Sequence, residues 1–113
     1  MSRIYKILPR ADWTAAHEAQ RFEGSPVDLQ DGFIHFSTAA QAQETARRHF
    51  AGQADLVVLE VEADDLGEAL RWEPSRGGEL FPHLYGPLDA RHVRYVTPAP
   101  LGEDGVPAIG DLP

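Results

Sequence analysis

The run Leu56-Val57-Val58-Leu59-Glu60-Val61 constrains the fold of this chain more than any other segment. Successive side chains of a strand point to opposite faces, so a nearly unbroken aliphatic run requires cover on both sides. The segment is therefore expected at the centre of a sheet, with packed layers above and below it. A chain of 113 residues suffices for one such core. We expect a single domain over residues 1–97, followed by an extended, partly mobile tail over 98–113, where prolines and glycines crowd together.

Arg3 to Leu8 reads as a first strand stopped by Pro9, and Asp12 is placed to cap a helix whose apolar side carries Trp13 and Ala16. A turn-rich stretch, Phe22-Glu23-Gly24-Ser25-Pro26, precedes a short helical turn over Val27 to Gln30. Gly32 to Thr38 reads as a short strand running straight into a helix from Ala39 to about Ala51, in which Ala39, Ala42, Ala46 and Phe50 recur at helical spacing up to a terminating Gly52. Later strands are expected over Leu70 to Glu73 and His92 to Thr97, separated by the loop Pro74-Ser75-Arg76-Gly77-Gly78. Leu80 to Leu88 is apolar but interrupted by Pro82 and Pro87, which predicts an irregular or edge segment. Helices near the start and strands clustered toward the end indicate an α+β fold. No glycine-rich phosphate loop follows any strand, which excludes Rossmann and P-loop nucleotide binding.

Composition removes further classes. There is no cysteine, hence no disulfide, thiolate catalysis or cysteine-ligated metal. The net charge of −8 opposes binding to nucleic acid and to anionic membranes. The basic cluster Arg47-Arg48-His49 falls where cations complement the end of a helix. No apolar run approaches the ~18 residues of a membrane span, so a cytoplasmic protein is expected.

The chemistry concentrates at Gly32-Phe33-Ile34-His35-Phe36-Ser37-Thr38. Alternation puts Ile34 and Phe36 on the core side and Phe33, His35 and Ser37 on the other. Ser37 and Thr38 compete for the N-cap of the following helix, and the free N–H groups of such a terminus favour a phosphate or carboxylate. His35 can donate to a ligand or act as a general base. His83 and Tyr85 lie in the proline-bracketed segment, where a stiff backbone can aim them into a cleft. Arg76-Gly77-Gly78-Glu79 reads as a lid or as a plain loop. HxH and HExxH spacings are absent, so no metal site is expected, and Ser37 lacks a GxSxG elbow.

Taken together, Ile4-Tyr5-Lys6-Ile7, Trp13, Asp31-Gly32-Phe33-Ile34-His35-Phe36-Ser37-Thr38, Thr45-Ala46, Gly77-Gly78 and Phe81-Pro82-His83-Leu84-Tyr85-Gly86-Pro87-Leu88 resemble the domain-of-unknown-function 952 family over about residues 3 to 97. The resemblance implies a small bacterial protein with an ADP-ribosylation-like fold, made of two small, mainly antiparallel sheets and two main helices, with a cleft of the kind that holds NAD. By position it implies that Lys6 grips a ribose, that His35 with Ser37 and Thr38 frames a second ribose, and that His83 or Tyr85 contributes a third element. His35 and His83 are then the catalytic candidates, and Lys6, Ser37, Thr38 and Tyr85 the cofactor-binding ones. Many relatives have histidine at the position of Lys6, and a charged lysine donates hydrogen bonds but accepts none. The glutamate of many transferases has no counterpart beyond the neighbouring Glu79. Two functions stay open: binding of NAD or another nucleotide-like, phosphorylated small molecule with ADP-ribosyl transfer, or a binding or regulatory module without chemistry.

Overall fold

The structure is a computed structural model that describes residues 2–110 and 112. The central aliphatic run forms β4 (Leu56–Glu62), every residue of which is buried. It is flanked by β1 (Arg3–Pro9) and β8 (Val93–Ala99) in an antiparallel sheet of order β1-β4-β8. Alternation along β1 and β4 divides the core in two. Ile4, Leu8, Val57, Leu59 and Val61 face one layer, with Ala16, Ile34, Phe36 and Leu84. Tyr5, Ile7, Leu56 and Val58 face the other, with Ala42 and Ala46. Each such aliphatic side chain contributes roughly 1.5–3 kcal/mol by leaving water, which is why a strand covered on both faces anchors the fold.

The first helix, α1, covers Arg10–Ala19 and starts directly after Pro9. Asp12, expected as its cap, lies inside the first turn instead, where a carboxylate still complements the dipole. The short helix α2 covers Pro26–Asp31 and ends on Gly32 in the left-handed conformation (φ +89°), which glycine adopts without a Cβ penalty. That reversal leads at once into β3 (Ile34–His35). Helix α3 covers Ala39–His49 and packs its alanine face on β1.

A second antiparallel sheet has the order β3-β6-β5, with β5 spanning Leu70–Pro74 and β6 Leu80–Leu84. A short pair, β2 (Arg21–Phe22) with β7 (Leu88–Asp89), completes three antiparallel sheets among the described residues. Placing β6 at the centre corrects the expectation of an irregular or edge segment. The N and C=O of one residue point to the same side of a strand, and the carbonyl of Pro82 accepts from Phe36 N at 3.0 Å. The missing donor of Pro82 therefore faces the end of the β3 ladder, and pairing with β5 continues through Pro82 and Trp72.

The two larger sheets are joined at one point. Tyr5 N donates to Ser37 O and Ser37 N to Tyr5 O, both at 2.8 Å, so β1 and the end of the β3 segment run side by side. The segment after Thr97, expected as an extended tail, continues β8 to Ala99 and then folds back. Ala99 and Ile109 are buried against α3, and Gln43 holds the returning chain through Pro107 O and Ile109 N. Among the described residues no helix is long and apolar enough to cross a membrane.

Candidate functional site

The seam where the sheets meet opens into a cavity of about 580 Å³. It is lined by β1 through Lys6, by the β3 segment through His35 and Ser37, by β6 through His83, by α3 through Thr45 and His49, and by the β5–β6 turn through Arg76. The alternation read from the sequence explains the first part. Ile34 and Phe36 go into the core, while His35 and Ser37 face the hollow. His35 and His83 are direct partners in the β3–β6 register. Their ring centroids lie 5.5 Å apart, and Phe33 stacks on His83 with its centroid 4.1 Å away.

Sequence reasoning missed the residue that organises this site. Asp28, on α2, is 2% exposed, accepts four hydrogen bonds and makes one further ion-pair contact with Lys6. Its Oδ1 takes Lys6 Nζ at 3.1 Å, His35 N at 3.1 Å and His35 Nδ1 at 2.6 Å. Its Oδ2 takes Ser25 N at 2.8 Å and Lys6 Nζ at 2.9 Å. Burial alone would push this carboxyl up. The bond from His35, the Lys6 charge and the Ser25 N–H overcome burial and hold it at about 2. Being ionised, Asp28 only accepts, so Nδ1 of His35 carries a proton. The signal for Asp28 was available in Ser25-Pro26-Val27-Asp28, the pattern that starts a helix with a carboxylate folded back on the cap.

Lys6 reaches the cavity wall, but its ammonium is committed to Asp28. Burial lowers its pKa, and Asp28 works against that. This removes it as a free grip for a ribose. Thr38 caps α3: Gln41 N donates to Thr38 Oγ1 at 3.3 Å, Thr38 N donates to Gln41 Oε1 at 3.0 Å, and Gln41 Nε2 donates to Leu80 O at 2.9 Å. Thr38 and the start of α3 are not part of the cavity wall, so the helix terminus does not supply the expected anion site there. Ser37 is free of capping and bonds Thr45 Oγ1 at 2.9 Å inside the cavity.

His83 is 5% exposed and donates through Nδ1 to Glu73 Oε1 at 2.8 Å. The bond from His83, followed by that from Tyr85, lowers the Glu73 carboxyl. Tyr85 itself turns away from the cavity. Its phenol donates to Glu73 at 2.7 Å and the Arg71 guanidinium covers its ring at 5.0 Å, so it supports His83 from behind.

Arg76 and His49 are the other residues that sequence reasoning underweighted. Gly77 and Gly78 both take left-handed φ values (+66° and +83°), which lets the chain double back after Arg76. The guanidinium then lies 4.8 Å over the Phe81 ring, with Nη1 3.4 Å from Thr45 Oγ1. Among the described residues Arg76 has no carboxylate partner. His49 is pushed down by burial first and then by the positive field of Arg76, Arg48 and His35. The described residues hold no cluster of three or more metal-ligating side chains.

A family model described as "Protein of unknown function (DUF952)" matches residues 7–96. The crystal structure of protein CC0527 from Caulobacter crescentus is 59% identical, covers 96% of each chain and superposes with a TM-score of 0.94. The solution NMR structure of the same protein is also 59% identical, covers 97% of this chain and 95% of its own, and gives a TM-score of 0.87. No curated protein matches the chain.

Proposed function

The chain belongs to the DUF952 family of proteins of unknown function, and for it we propose that the cavity binds a nucleotide-like, phosphorylated small molecule, with NAD and ADP-ribose in the expected class. The observation that carries this reading is the Arg76 guanidinium. It lies on the cavity wall of an otherwise acidic protein, lacks a carboxylate partner among the described residues, and sits beside the hydroxyl pair Ser37–Thr45. A cation without a counter-charge next to two hydroxyls suits a phosphate. The Phe81 face beneath it and the volume of about 580 Å³ leave room for a base or ribose beside the phosphate.

The ADP-ribosylation-like fold belongs to this proposal: two antiparallel sheets meeting at a ligand-sized seam fit it. Within that reading His35, His83 and Ser37 face the ligand, Lys6 and Asp28 hold His35 in place, and Thr38 and Tyr85 act on the frame. A second reading, binding without chemistry, draws support from the commitment of Lys6 to Asp28 and from the position of Glu79 outside the cavity wall. Calorimetric titration with NAD, ADP-ribose and inorganic phosphate tests the proposal. Saturable heat is expected with each phosphate-bearing ligand, weakened at least ~10-fold in Arg76→Ala, which removes a charge-assisted bond. Absence of heat at millimolar ligand overturns it.

A further inference from the structure

The cavity contains two histidines, each held by its own carboxylate, presented side by side from paired strands. Asp28 fixes His35 through Nδ1 at 2.6 Å, and Glu73 fixes His83 through Nδ1 at 2.8 Å. The β3–β6 register sets the rings opposite one another, 5.5 Å between centroids and 65° between planes. A ligand-binding pocket has no need for two imidazoles oriented in this way. A reaction that removes one proton and delivers another does.

The two rings differ in what faces their second nitrogen. His35 Nε2 lies 3.0 Å from Asp31 Oδ2, so both of its nitrogens meet carboxylate oxygens, an arrangement completed when both carry protons. His83 has a carboxylate at Nδ1 only, which leaves the Nε2 lone pair available. The charged and titratable groups around His35 are Asp28 and Asp31 from α2, Lys6 from β1, His83 from β6 and His49 from α3; around His83 they are Glu73 from β5 and His35 from β3, with Tyr85 and Arg71 meeting Glu73 and one another behind it.

Resting on the reading that Arg76 holds a phosphate, we propose that the cavity hydrolyses a phosphodiester, with His83 as general base and His35 as general acid. His83 Nε2 takes a proton from water as the water oxygen bonds to phosphorus. The bond from phosphorus to the leaving oxygen breaks, and that oxygen takes the Nε2 proton of His35. The products are a phosphomonoester and an alcohol, and both rings return to their starting states by proton exchange with solvent. Arg76 and the Ser37–Thr45 hydroxyls meet the non-bridging oxygens, where negative charge is greatest. Asp31, at the end of α2 with a side chain 41% exposed, swings aside so that the leaving oxygen takes its place at His35. Asp28 and Glu73 are positioning residues that set which nitrogen of each ring faces the substrate.

The test measures turnover of two probes that differ in their need for an acid. A nucleoside cyclic phosphodiester releases a poor alkoxide leaving group, whereas bis(p-nitrophenyl) phosphate releases a stable phenolate. Wild-type protein should turn over both, with a bell-shaped pH–rate profile for the cyclic substrate. His83→Ala should slow both probes by ~10²-fold or more, while His35→Ala should slow the cyclic probe by that factor and the nitrophenyl probe by less than ~10-fold. Glu73→Gln should keep the fold but move one limb of the pH profile to lower pH, which a purely structural role would not do. Wild-type protein that turns over neither probe, or histidine variants that match it on both, overturns the proposal, and the wild-type arm decides even where a variant fails to fold. Phosphate heat without turnover defeats this acid–base inference alone. Absence of phosphate heat defeats the binding reading as well.

Discussion

Replacing Asp28 by Asn is the sharpest perturbation the structure offers, because shape is kept while the charge at the centre of four hydrogen bonds is lost. Lys6 Nζ, 5% exposed and 2.9 Å from the carboxylate, would keep its position without a counter-charge. Asn also presents one acceptor and one donor where the wild-type offers two acceptors, so its amide NH₂ is forced against Ser25 N–H and Lys6 or against both His35 donors. Breaking a buried pair from one side costs about 3–5 kcal/mol. A domain of this size is stable by roughly 5–15 kcal/mol, so the variant should melt roughly 10–25 °C lower. Urea unfolding followed by tryptophan fluorescence and far-ultraviolet circular dichroism measures the loss. Adding Lys6→Met should restore part of it, since the stranded charge is then gone. A loss below about 1 kcal/mol for Asp28→Asn, or a double variant less stable than the single one, would refute the hub.

Two further outcomes follow from the same geometry. A carboxyl held at about 2 in the folded protein, against an ordinary 3.8, tightens folding by roughly 2.5 kcal/mol. Because the folded value is the depressed one, this contribution is complete above about pH 4 and disappears as pH falls through 2. The stability gap between wild-type and Asp28→Asn, measured by urea titration at a series of pH values, should therefore narrow as pH falls through that window. Thr38→Ala should cost ~1 kcal/mol through loss of the α3 cap, with calorimetric phosphate affinity unchanged; a concurrent loss of affinity would return the helix terminus to the binding site.

Much of this site was legible because strand alternation is a strict two-residue rule. It sent Ile34 and Phe36 inward and His35 and Ser37 toward the cavity, and it marked β4 as covered on both faces. The pairing of His35 with His83 was not legible, since register across strands depends on where Phe36 and Pro82 meet. Asp28 escaped notice because α2 has only six residues, too few for a periodic signal. Thr38 and Tyr85 were misplaced for a common reason: each is a polar group near the site whose bonding capacity is taken up by local partners, Gln41 in one case and Glu73 in the other. Proline and glycine after Thr97 suggested a loose tail, but burial of Ile109 and the clamp from Gln43 depend on an α3 face far away in sequence.

Nuclear magnetic resonance of the histidine rings and arginine side chains during titration with ADP-ribose shows whether His35, His83 and Arg76 line one ligand site. The rings of His35 and His83 and the guanidinium of Arg76 should shift together along one saturating curve. Shifts confined to Arg47 and Arg48 at the end of α3, or no shift at millimolar ligand, would contradict a shared site.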